Sequence, residues 1–220
     1  MSDINWEPQN VANLAEQLSK IANDYREKIS EIYGGYSSIG QNELWTGINY
    51  NTIANDIFNV SRSTFSEWAD YIQFTIPEQI YQIAKSQSSN GIIEFYMYEA
   101  NVDIKAVENT EEKIDGSFKL NMYEVQKVIS NTLTELCDDA NNILQAYINQ
   151  FEELKSIEDN AAIYFIYEKL EGIIDTNKSL LKSFIIETSD AVEKTFNNIK
   201  YTDEETIRMA EKITDMINNP

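Results

Sequence analysis

The chain has 220 residues, 42% of them hydrophobic, with 17 basic against 37 acidic side chains and a formal net charge of −20. The acidic excess runs through both halves, 15 to 6 in residues 1–110 and 22 to 11 in residues 111–220, so neither presents a basic face for nucleic acid or an anionic membrane. The absence of histidine removes Ser/His and Cys/His nucleophile pairs and the commonest zinc ligand, and no glycine-rich turn precedes a Lys-Ser/Thr pair; both facts argue against an enzyme, a metal site or a cofactor.

The first residues, Met1-Ser2-Asp3-Ile4-Asn5-Trp6-Glu7, lack a basic segment followed by an apolar one, so no cleaved signal peptide is expected. No stretch approaches 18 consecutive apolar residues, which excludes a membrane-spanning helix by sequence. Trp6-Glu7-Pro8 reads as a helix start, because a proline in the first turn loses no hydrogen bond. From there Val11, Leu14, Leu18, Ile21, Tyr25, Ile29, Ile32 and Tyr36 recur in steps of three and four, one apolar stripe on a helix. The helix is expected to end at Gly34-Gly35 or slightly beyond, since glycine tolerates the positive φ of a reversal.

The reversal itself is placed at Leu44-Trp45-Thr46-Gly47, with Trp45 partly exposed at the tip. A second stripe leaves it: Ile53, Ile57, Val60, Phe65, Trp68, Ile72, Ile76, Ile80 and Ile83. Pro77 falls inside this helix and crowds the carbonyl of Gln73, which predicts a kink and not an end. Ser86 to Gly91 breaks the pattern. Residues 92–107 fit a helix through Ile92, Phe95, Val102 and Ala106, and equally a strand through the alternation of residues 102–107. Asn109 to Ser117 is polar, contains the turn signal Asp115-Gly116, and reads as the linker between two halves.

The second half repeats the plan. Asn121, with Glu124 three positions on, reads as a capping box. The third stripe runs from Met122 through Val125, Ile129, Leu133, Leu136, Ala140 and Ile143 to Leu154, and carries Cys137, which reads as a buried small hydrophobe. After a polar break, Ser156 to Asn160, a fourth stripe runs from Ile163 through Leu170, Leu181, Phe184 and Val192 to Ile199. Thr202-Asp203-Glu204-Glu205 reads as a further capping box opening a short C-terminal helix. Acidic pairs such as Glu111-Glu112, Asp138-Asp139 and Glu152-Glu153 read as solvated faces, because adjacent helical residues do not face one another. The fold class that follows is all-α: two long helical hairpins, 1–90 and 120–220 around a linker at 91–119, packed as an elongated antiparallel four-helix bundle.

A helix, a Trp-x-Gly turn and a second helix, within the first 90 residues of an acidic chain, resemble the Trp-x-Gly (WXG, ESAT-like) family of type VII secretion substrates. The likeness covers Ile4 to Gln87, with Trp45 and Gly47 at the motif positions. The second hairpin resembles a degenerate copy in which Asp159-Asn160-Ala161 stands where Trp-x-Gly would be. Members of that family also carry a Tyr-x-x-x-Asp/Glu export element after a second helix, and Tyr201 with Glu205 fits by position. Tyr164 and Tyr167 satisfy the same spacing elsewhere on the fourth stripe. The resemblance implies a non-enzymatic protein exported without a cleaved signal peptide to the medium or the cell surface. Its implied partners are the type VII motor ATPase and a co-secreted toxin or second WXG-like protein. The implied site is a composite export signal of Trp45, Gly47, Tyr201 and Glu205, which requires the linker to climb the length of the bundle. A structural alternative stands beside it, in which Trp45 plugs the end of a bundle and Tyr201 marks a helix cap. Two further classes remain open, the targeting domain of an LXG-type toxin and a membrane-acting helical toxin with residues 92–107 as a hidden apolar tongue. Covering each hairpin's stripe within one chain predicts a monomer, an intramolecular pseudo-dimer.

Overall fold

The computed structural model describes residues 7–88, 91–111, 118–156 and 161–218, excepting the side chains of 155, 156, 161, 162 and 200–218. Four helices run through it. We label them α1 (Pro8–Gln41), α2 (48–87), α3 (122–152) and α4 (Ala161–Asn218). α1 ascends to the first hairpin's tip and α2 descends. α3 starts at that tip, where Asn121 N–H donates to the Leu44 carbonyl, and descends beside α1. α4 ascends again, meeting Tyr25 at Asn177, Tyr33 at Phe184 and Asn49 at Thr195. The architecture is the all-α antiparallel bundle read from the stripes, and one hydrophobic core runs from Val11 to Val192 through both hairpins. No described helix is long and apolar enough to cross a membrane.

Pro8 opens α1 at its first position, as its sequence context predicts. The far end differs. α1 passes through Gly34, Gly35 and Gly40 and stops at Gln41. Burial of Tyr33, Tyr36 and Ile39 continues the stripe past the glycines, and outweighs the cost of about 1 kcal/mol that each glycine carries in a helix. Two of the three serve packing: a Cβ on Gly35 would stand 2.9 Å from Leu133 Cδ2, and one on Gly40 2.6 Å from the Tyr50 hydroxyl. The short C-terminal helix is also corrected. α4 is continuous to Asn218, because no proline or glycine lies between Gly172 and that point to stop it.

α2 widens twice into π-helix, at Ala54–Asn59 and Tyr71–Thr75. The second stretch precedes Pro77, so the crowding expected at the Gln73 carbonyl is taken up in a wide turn while the helix continues. Each widened stretch offers a carbonyl to a buried tyrosine of another helix. Tyr33 of α1 donates to Phe58 O at 2.7 Å, and Tyr147 of α3 to Ile72 O at 2.8 Å. Beside the first, Tyr36, Phe58 and Phe184 stack at 4.2 and 4.3 Å between ring centres, joining α1, α2 and α4. Such pairs contribute about 0.5–1.5 kcal/mol each beyond their burial.

Residues 91–111 are neither of the two alternatives in their ordinary form. They are extended, yet among the described residues no strand lies beside them, and helix side chains hydrogen-bond to them instead. Glu94 exchanges both main-chain groups with the Gln9 amide, Val107 with Asn59, and Thr110 with Asn51. Glu16 accepts from Tyr96 N–H, and Ser19 from Tyr98 N–H. Arg62 donates to the Ile104 carbonyl, while Ile104 and Val107 turn into the core. This strap climbs from the start of α1 to the hairpin tip, the path required of the linker. At its middle the buried Gln73 accepts from Arg26 Nε at 2.7 Å and donates to Tyr98 O at 3.2 Å, and Arg26 pairs with Asp70.

The packing of the glycines is directly measurable. Gly40→Ala forces its Cβ against Tyr50 and Thr110 and should destabilise the chain by about 1–3 kcal/mol in urea unfolding. Gly34→Ala meets nothing within 4 Å and should stabilise it by about 0.5–1 kcal/mol.

Candidate functional site

The residues singled out by sequence converge on the hairpin tip. α1 closes with Asn42 N–H on the Ser38 carbonyl and Leu44 N–H on the Ile39 carbonyl. Glu43 takes a positive φ of 51° and Gly47 one of 95°, and between them the chain reverses. At Gly47 a side chain would be strained, so glycine there meets a real backbone demand.

Two remote segments seal the turn. Thr46 N–H donates to Lys119 O at 2.9 Å, Lys119 N–H returns to the Thr46 hydroxyl, and Trp45 faces Leu120 in an antiparallel bridge. The end of the strap supplies the other side, with the Thr110 hydroxyl accepting from Gly47 N–H at 2.9 Å. Trp45 lies beneath this lid, 0% exposed, edge-on to Tyr50 at 6.0 Å. The expectation of a partly exposed tip tryptophan is therefore overturned. A turn alone would leave the indole in water; the strap end and the start of α3 close over it.

Tyr201 and Glu205 stand on α4 six and ten residues beyond Thr195, whose hydroxyl accepts from the Asn49 amide at 3.0 Å. Their backbone is helical, and their side chains lie outside the described residues. The hydrogen bond brings the first hairpin's tip beside α4, about 9 Å of helix before Tyr201. The other matches to the tyrosine spacing sit at the opposite end of α4. Tyr164 is exposed, and Tyr167 donates to Glu152 at 2.8 Å, a bond that pushes its phenol up to about 12. Asp159 and Asn160 lie outside the described residues.

Chemically, Asn51, Thr46 and Thr110 at the tip all hold backbone. Among the described residues no group of three His, Cys, Asp or Glu side chains could hold a metal. Cys137 is buried on the α3 stripe, and burial with Asp138 nearby pushes its thiol up to about 12. Ile92 and Tyr96, part of the tongue proposed for a membrane-acting toxin, are not hidden but 95% and 62% exposed. What the stripes alone did not reveal is the row of polar residues that hold the strap: Gln9, Glu16, Ser19 and Asn23 on α1, and Asn51, Asn59 and Gln73 on α2. The α1 members recur at steps of seven, three and four, a hydrogen-bonding stripe beside the apolar one.

Two measurements check this site. Trp45→Ala should cost about 3–5 kcal/mol in denaturant unfolding, comparable with Phe184→Ala and unlike a surface change. Alkaline stability reports the buried phenols. Burial raises the pKa of Tyr25, Tyr33, Tyr36, Tyr50 and Tyr147 above 10, so above pH 10 the unfolded chain binds fewer protons than the folded one. Their contribution is complete below pH 10 and is lost as pH rises past it, so the share of the tyrosinate absorbance that belongs to these five phenols should appear only together with loss of helicity. Compared with family models, curated proteins and solved structures, the chain matches none, so its role is read from its own residues.

Proposed function

We propose that this chain is a non-enzymatic substrate of a type VII (WXG/ESAT-like) secretion system that carries both hairpins of a paired assembly in one polypeptide. The observation that carries the reading is the hydrogen bond from Asn49 to Thr195. It sets the Trp-x-Gly turn of the first hairpin beside the stretch of α4 that leads to Tyr201 and Glu205, the juxtaposition a composite export signal requires. Within that signal the roles divide. Trp45 and Gly47 hold the turn against the strap and α3, and Tyr201 with Glu205 supplies the face that the motor ATPase recognises.

The same reading makes the chain a secreted effector, or an adaptor for a co-secreted toxin or WXG-like partner, reaching the medium or cell surface without a cleaved signal peptide. It works as a monomer, because tethering the second hairpin about 30 residues from the first gives an effective concentration of roughly millimolar order, and each stripe is covered in cis.

The test is secretion from a host with a type VII system, with and without a functional motor ATPase. The chain should reach the medium only with the motor intact, and Tyr201→Ala and Glu205→Ala should hold it in the cell without lowering its melting temperature. Trp45→Phe, which keeps the plug, should be exported. Export of a stable Tyr201→Ala variant, or release that ignores the motor, would overturn the proposal.

A further inference from the structure

The strap carries a second property that does not depend on the export reading. In an extended chain the N–H and C=O of one residue point to one edge, and those of the next residue to the other. Along its first part the strap uses one edge only: Glu94, Tyr96 and Tyr98 bond to Gln9, Glu16, Ser19 and Gln73. The main-chain groups of Ile93, Phe95 and Met97 belong to the opposite edge, and no described residue bonds to them. Backbone groups without a protein partner have to be solvated, so this edge faces water.

The edge is rigid and undefended. Phe95 stacks on Tyr81 at 4.5 Å between ring centres, which fixes the strap sideways as Gln9 and Glu16 fix it lengthwise. Residues 92–98 read Ile-Ile-Glu-Phe-Tyr-Met-Tyr, a run of high β-propensity with one charge and no proline, glycine or lysine. Exposed edges in proteins are ordinarily blunted by lysine, proline or a bulge, and this one has none of the first two. Ile92 and Tyr96 stand out from it on the solvent side, 95% and 62% exposed, where a neighbouring strand would cover them. Charge chooses the occupant. The strap holds Glu94, Glu99, Asp103, Glu108 and Glu111 against Lys105 alone, and Glu16 sits beside it. A second copy of this chain would bring another net −20 to the contact.

We propose that residues 92–98 are a docking edge for an extended, basic segment of another polypeptide, which adds as a β-strand to the main-chain groups of Ile93, Phe95 and Met97. The strap is pre-ordered by the helices, so strand addition here costs little ordering on this side of the contact.

The probe is a fluorescein-labelled (Lys-Val)5 peptide titrated with the full chain, followed by anisotropy. Proline at 93 or 97 removes a donor that no described residue uses and keeps extended backbone. Met97→Pro should therefore melt near the parent and bind about tenfold more weakly, and Ile93→Pro, which also gives up the Ile93 contact with the core, should melt lower while its folded form binds about tenfold more weakly. A peptoid with the same side chains but no main-chain N–H, and (Glu-Val)5, should each also bind about tenfold more weakly or worse. Hydrogen exchange on the parent reads the same edge without any substitution. The amides of Ile93, Phe95 and Met97 should exchange fast in the free chain and slow down with the peptide. Equal binding by the peptoid, unchanged binding by either folded proline variant, or no protection at these amides would overturn the proposal. So would self-association of the chain through this edge without peptide binding.

Discussion

A backbone that runs extended over two helices has no neighbouring strand to satisfy it, and an unsatisfied main chain packed against a core is not tolerated. The strap meets that constraint with side chains, and the rest of the bundle follows from it. Gln9, Asn59 and Asn51 each use a carboxamide as a two-pronged partner, accepting from the N–H and donating to the C=O of one residue, as a neighbouring strand would. The strap can then carry the chain from the foot of the first hairpin back to its tip. Because α3 starts at the tip, it descends antiparallel to α1, and α4 ascends to meet α2 at Asn49.

The same economy of backbone groups shapes the helices. A π-helical stretch breaks the regular ladder and is strained in isolation, and in α2 two of them stand where a tyrosine from another helix can reach a carbonyl, Tyr33 at Phe58 and Tyr147 at Ile72. These bonds tie α2 to α1 on one side and α3 on the other at defined heights. Packing along an apolar stripe tolerates a slide of one turn, whereas a buried hydroxyl on a single carbonyl does not. The Tyr25–Asn177–Asn141 chain of hydrogen bonds, at 2.8 Å for each link, fixes α4 in the same manner.

Burial of Trp45 recasts the turn motif physically. In a lone hairpin the indole would sit at an open end; here the lid of Thr110 and Leu120 makes it the plug of a three-way junction. The two recognition roles proposed above therefore rest on groups other than the indole, the continuation of α4 past Thr195 in one and the outer edge of the strap in the other.

Much of this was legible in the residues alone. Steps of three and four placed all four helices and the all-α bundle, Pro8 marked the start of α1, Asn121 the start of α3, where its side chain accepts from Glu124 N–H, and the apolar context of Cys137 its burial. These are local properties, set by a residue and its neighbours within two turns. What the sequence could not decide depended on partners far along the chain. α1 outran Gly34-Gly35 because Leu133 and Tyr50 pack against Gly35 and Gly40. Trp45 is buried by residues 65 and 75 positions away, and residues 92–107 are extended because Gln9, Asn59 and Asn51 hold them so. Periodicity records which face of an element is apolar; which segment arrives to cover that face, or to satisfy its backbone, is settled only when the chain is folded.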